Sequence, residues 1–228
     1  MTGGPEHDKA GGRREGGLLF ERLVFFSDAV FAIAITLLVL DLRLPAGAID
    51  FSEIGDKVLG FALSFAVIGI YWLNHHRLFG GLKADDAAVR VANLVFLASI
   101  AFLPFPTSVI AEHKATSSSV AFYALSVGAV GILLVVLTAV ARRPSLLQPG
   151  ETLGGTVRAV LYSLGTPLVF LGSALAAQAN PRFAMQLWWL VLPVLAAATL
   201  VGRRVEALID DRAASRRRAA PPKDGGQG

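Results

Sequence analysis

The chain has 228 residues, of which 54% are apolar and 17% charged, with a mean hydropathy of +0.59 and a formal net charge of +4 at pH 7. A soluble domain of this length breaks its apolar runs with polar faces, and the long uncharged stretches of this chain exclude that class. The lack of cysteine removes disulfides and thiol chemistry.

Residues 1–18 are Gly-rich and charged, and read as a disordered or loosely helical tail. Residues 21–42, ERLVFFSDAVFAIAITLLVLDL, then form an apolar helix of membrane length, with Arg22 near its start and Asp28 inside it. A carboxylate at the centre of a membrane helix costs about 2.5–3.5 kcal/mol on insertion scales, so Asp28 is expected to face a partner or a water-filled path. Arg13-Arg14 ahead of this run and Ala46-Gly47-Ala48 after it imitate a cleavable signal. The run is longer than the signal core of about 7–15 residues and carries Asp28, which favours a retained span.

Five more uncharged stretches follow, at 58–76, 91–111, 120–141, 159–179 and 183–202. Each has about the 20 residues that cross roughly 30 Å of hydrocarbon, so the chain is expected to be an all-α integral membrane protein with six transmembrane helices. Pro104 and Pro106 predict a bend in the third span, and Pro167 and Pro193 in the fifth and sixth. Trp188 and Trp189 suit the outer interface, and Gly165, Gly172 and Ala176 offer close helix contact. Of the 21 lysines and arginines, only Arg43, Lys57, Lys114 and Arg182 fall on one side of this topology. The positive-inside rule then places both termini in the cytoplasm, as in a multi-pass protein of the cell membrane. The basic stretch 205–228 is expected to lie near anionic lipid headgroups, with no nucleic-acid partner.

No hydrolase, nucleotide-binding or metalloprotease motif is present, so no catalytic residue, cofactor or structural metal is expected. His75 and His76 are adjacent and point to different sides of a helix, which suits a structural or pH-sensing role better than zinc ligation.

Arg22-x-x-x-Phe26-Ser27-Asp28 on the first helix, followed by Ile33, Thr36, Leu37 and Leu40, resembles the signature of the transmembrane protein 175 family of potassium channels. Tyr71-Trp72-Leu73-Asn74-His75-His76-Arg77-Leu78-Phe79 and Ala101-Phe102-Leu103-Pro104-Phe105-Pro106-Thr107 extend the resemblance through the first half of the chain. The second half matches by span count alone. The signature occurs once, and bacterial members with one six-helix unit assemble as tetramers, whereas animal members carry two units and dimerise. The resemblance thus implies a homotetramer conducting potassium, with residues 19–204 as its channel domain and the first helices lining the pore.

Ile33, Leu37 and Leu40 are spaced i, i+4, i+7 and share one helix face, with Phe26 and Ala29 nearer the cytoplasm and Thr36 at its border. Such a stripe is equally an ordinary packing surface. The carbonyl-lined T-V-G-Y-G loop of other potassium pores is missing, so a channel of this sequence must narrow at these apolar rings. By similarity Ile33 is the tightest. A ring of that kind makes an ion shed water without supplying oxygens, and potassium holds its water less tightly than sodium. Thr36 either returns a hydroxyl to the ion or bonds back to the Ala32 carbonyl.

Arg22 and Asp28 stand about 9 Å apart along the helix and about 120° apart around it, too far to pair directly. Asp28 is expected to bond with the cluster Asn74, His75, His76 and Arg77 or with Asn93, and Ser27 to join the same network. That network is either a gating element or a buried structural staple. Two further functions stay open: proton movement, as a proton-conducting channel or a proton-coupled transporter using Asp28 and His75 or His76, and a membrane-embedded assembly protein.

Overall fold

The computed structural model describes residues 6–42, 51–112 and 115–219. Among them the fold is helical throughout, apart from one isolated bridge between Leu82 and Leu147. Helix α1 (Glu6–Leu37) continues into a 3₁₀ turn (Leu38–Asp41). It is followed by α2 (Phe51–Gly80), α3 (Ala87–Phe102), α4 (Pro104–Glu112), α5 (Ser117–Ala141), α6 (Leu153–Ala176), α7 (Pro181–Leu187), a 3₁₀ turn (Trp188–Leu190) and α8 (Val191–Ala219). These make six segments long and apolar enough to cross a membrane, as the sequence predicts. The third joins α3 to α4, and the sixth joins α7 to α8.

Helix starts are set locally. Asp86 caps α3 by accepting from Val89 N–H, Thr116 and Ser119 form a capping box at α5, and Asn180 caps α7 with Pro181 behind it. The third span breaks at Leu103, because Pro104 and Pro106 cannot donate to the ladder. Leu103 N–H bonds to Ile100 O at 3.1 Å, and the Thr107 hydroxyl covers Leu103 O at 2.9 Å.

Three local expectations need correction. The sixth span breaks at Trp188–Leu190, not at Pro193, which lies in the first turn of α8 where its missing N–H leaves no bond unmade. Trp188 is not an interface residue. It is buried, stacked near Tyr123 and Phe170, and donates to Ser173 Oγ at 2.9 Å, while Trp189 alone is exposed. Gly165 does give close contact, since a Cβ there would lie 3.0 Å from Leu195, but Gly172 faces open space.

In the tails the described residues are helical, one of the two forms expected of them. Helix α1 begins at Glu6, and α8 runs on past residue 204 without a break. Its continuation is fastened to the start of α6. Thr152 Oγ1 donates to Asp210 Oδ2 at 3.0 Å, and Arg158 pairs with Glu206 at 3.3 Å. Gly154 lets the two backbones approach so closely that a Cβ would lie 2.9 Å from Glu206 O. Residues 1–5 and 220–228 of the tails, with Arg43, Asp50, His113 and Lys114 of the loops expected on the outer side, lie outside the described residues.

Candidate pore helix and polar network

Two faces of α1 are distinct. Ser27, Phe31, Ala34 and Leu38 recur at i, i+4, i+7, i+11, and all four are buried. About 120° round the helix lies the apolar stripe, left open by the described residues: Ile33 is 60% exposed, Leu37 40% and Leu40 62%, with Phe26, Ala29 and Thr36 also exposed. The 3₁₀ turn refines the stripe, since side chains three apart eclipse in that geometry, and Leu40 therefore stands directly over Leu37. Thr36 Oγ1 donates to Ile33 O at 2.9 Å, not to Ala32 as expected.

On the buried face a polar chain crosses three helices. Asn93 Nδ2 on α3 donates to Ser27 Oγ at 3.0 Å, Ser27 Oγ donates to Leu23 O at 2.9 Å, and Asn93 Oδ1 meets His75 Nε2 of α2 at 2.9 Å. With Asn93 Oδ1 as acceptor, His75 Nε2 carries the proton. The imidazole is enclosed by Phe79 at 4.3 Å, Phe31 at 5.5 Å and Phe96 at 5.8 Å between ring centroids. Ser27 and Asn93 are fully buried and His75 nearly so. An amide with no water nearby must bond on both its ends, and here it does.

Asp28 takes a different partner from the one expected. Its Oδ1 accepts from the indole N–H of Trp72 at 2.9 Å, and the ring of His76 lies against that indole at 5.6 Å. The reason is depth and side. Asp28 points about 100° away from Ser27, towards the face of α2 that carries Trp72 and His76, whereas His75 and Asn93 lie under Ser27. Arg77 turns away as well, its guanidinium 5.4 Å above the Tyr162 ring of α6. Asn74 is buried, and Arg22 is exposed near the start of the apolar run. Sequence reasoning missed Trp72 as a partner and the Phe31, Phe79 and Phe96 cage. The signal for Trp72 was present: an indole inside a span needs an acceptor, and Asp28 is the nearest carboxylate in depth.

Residues 22–104 match the family described as endosomal/lysosomal potassium channel TMEM175. A potassium channel of Streptomyces collinus is 33% identical over 193 residues, covering 76% of this chain and 93% of that protein. The chain belongs to the TMEM175 family. A potassium channel of Chamaesiphon minutus is 40% identical over 100 residues, which is 40% of this chain and 49% of that protein. The human endosomal/lysosomal proton channel TMEM175 is 28% identical over 91% of this chain, which spans 46% of it. Among solved structures, a lysosomal potassium-selective TMEM175 homologue from Chamaesiphon minutus superposes with a TM-score of 0.65 at 25% identity, over 78% of this chain and 97% of the other. The matched TMEM175 segment contains both the polar chain and the exposed stripe.

Proposed function

We propose that this protein is a potassium-permeable channel of the cell membrane, a homotetramer whose four α1 helices enclose a central pore. The observation that carries the reading is the uncovered stripe Ile33, Leu37 and Leu40 on a helix fixed from behind by the Ser27–Asn93–His75 chain. A unit with one such helix cannot close a symmetric path alone, and cyclic assembly supplies the missing walls. Family membership and the potassium channels among the relatives support the same reading.

Ile33 forms the tightest ring, with Leu37 and Leu40 as a stacked pair further out. Ions pass by partial dehydration, favouring potassium modestly, and the rings close the path when they empty of water. The Thr36 hydroxyls sit at the border with lone pairs available to a partly stripped ion. No catalytic step or cofactor enters this account. Both termini face the cytoplasm, and the basic C-terminal segment lies near anionic headgroups. Nothing in this reading calls for nucleic acid.

Proton passage is the second reading, supported by the vertebrate relatives described as proton channels. For the proton-coupled transporter, His75 is enclosed by aromatic rings, and His76, whose ring lies 5.6 Å from the indole that bonds Asp28, is the better-placed histidine.

Flux from liposomes of purified protein tests the proposal. Passive potassium release that follows the electrochemical gradient is expected. Release of protons with no potassium flux favours the second reading, and absence of both overturns the channel. Mass measurement in nanodiscs giving only monomers overturns the tetramer.

A further inference from the structure

At one end of the bundle two connections clasp each other. The α2–α3 link and the α5–α6 link are joined by Lys83 N–H to Leu146 O at 2.9 Å, Gln148 N–H to Gly81 O at 3.0 Å and Gln148 Nε2 to Leu82 O at 3.0 Å. Between them opens a cleft of about 420 Å³. Every residue lining it lies between spans or in the first turn of α6, so the cleft stands at the depth of the membrane surface.

We propose that this cleft binds a phosphate-bearing anion, and specifically the phosphodiester headgroup of an anionic lipid. Arg142 lines it with a side chain only 7% exposed, held on one edge by Glu151 at 3.0 Å, and its Nε is buried with no hydrogen-bond partner among the described residues. Lys83 lines it too, exposed and without an ion pair among the described residues. Thr152, the cap of α6, and Thr156 in its first turn line the cleft as well, but their hydroxyls donate to Asp210 Oδ2 and Thr152 O, so Lys83 and Arg142 are the cationic donors that face an anion.

The balance of charge selects the ligand. Among the lining residues Lys83 and Arg142 against Glu151 leave one positive charge, and Asp210 stands 3.0 Å from Thr152 Oγ1, so a phosphodiester monoanion suits the cleft better than a doubly charged free phosphate. Pro144, Leu147 and Pro149 on the rim suit glycerol and the start of acyl chains. The site lies apart from α1 and borders the C-terminal continuation of α8, where Asp210 accepts from Thr152 at 3.0 Å. The last turns of α2 carry both His75 and the start of the clasp, which links the cleft to the polar network.

Full-length protein in nanodiscs, melted in phosphatidylcholine alone or in a mixture with phosphatidylglycerol, tests the assignment. Melting is read without ion flux, so this outcome is independent of the channel proposal. Phosphatidylglycerol is expected to raise Tm, and Lys83→Gln to weaken that dependence about fivefold. Lys83→Arg should restore it. Arg90→Gln, on the same side but paired with Asp85 and outside the cleft, should leave it intact. An equal response in wild type and Lys83→Gln, an equal loss in Arg90→Gln, or no response in wild type overturns the site. Inorganic phosphate reproducing the shift in pure phosphatidylcholine keeps the anion site and overturns the lipid as its source.

Discussion

Trp72 donates its indole N–H to Asp28 Oδ1 at 2.9 Å, and this pair lies about 140° round α1 from Ile33. The signature carboxylate therefore points away from the apolar stripe and ties α1 to α2. A hydrogen bond to a charged acceptor is worth about 1.5–3 kcal/mol. Trp72→Phe, which strands the acceptor, should lower the melting temperature more than Asp28→Asn, which keeps an oxygen for the indole. Thermal melts of both variants and the double variant decide the matter, since non-additivity is expected only if the two residues touch.

Asn93 should be the least replaceable member of the buried chain. Asn93→Ala leaves Ser27 and His75 without their partner where no water reaches, at a cost of about 2–4 kcal/mol. Denaturation in detergent should show it, whereas Ser27→Ala, which removes the hydroxyl together with its own need for an acceptor, should cost less. Equal losses would show that Asn93 is not the hub.

At the proposed constriction, Ile33→Asn should enlarge currents and bring the potassium-to-sodium permeability ratio towards unity, with Ile33→Ala acting in the same direction more weakly. Val39, about 120° from the stacked Leu37 and Leu40, is the control, and Val39→Ala should leave selectivity alone. Reversal potentials under bi-ionic conditions measure all three. Selectivity that survives Ile33→Asn and fails on changing Leu37 would move the filter one turn outward.

Asp86, outside the spans, carries a pH effect of definite sign. Acceptance of the Val89 N–H and the neighbouring Arg143, whose Nη2 reaches both carboxylate oxygens at 2.8 and 2.7 Å, hold its pKa below the ordinary value. A lowered pKa stabilises the fold fully above the ordinary aspartate range and loses that contribution as pH falls through the lowered value. The Tm gap between wild type and Asp86→Ala should accordingly shrink on acidification, and a gap constant down to the acid limit would contradict the assignment.

Pro167 fits into the space above Gly131, where a Cβ would stand 2.7 Å from the proline ring. Gly131→Ala should destabilise by about 1–3 kcal/mol through overpacking. Gly172→Ala, into open space, should be neutral or stabilising.

Six spans, the break near Pro104 and the exposed stripe were legible because hydropathy, ring chemistry and a 3.6-residue period each leave a local trace. Ser27 was rightly grouped with Asn93 and His75. Asp28 was assigned to the same network because depth can be counted along a chain, while side cannot: which face of α2 meets α1 depends on how Phe31, Phe79 and Phe96 pack. The burial of Trp188 was hidden for a similar reason. An indole at the end of a span reads as an interface anchor until Tyr123, Phe170 and Ser173 are seen to surround it.

The helices share the work of folding unequally: in the apolar window of α5 56% of the residues are buried, but only 22% in those of α1 and of the α7–α8 span. A newly inserted chain thus has a well-covered α5 and a bare face on α1, with Phe25, Phe26 and Ile33 exposed beside the half-covered Asp28. If the proposed tetramer covers this surface, the supply of neighbouring subunits should set the lifetime of the protein in the cell, and variants that disturb α1 would lower its abundance before they alter conductance.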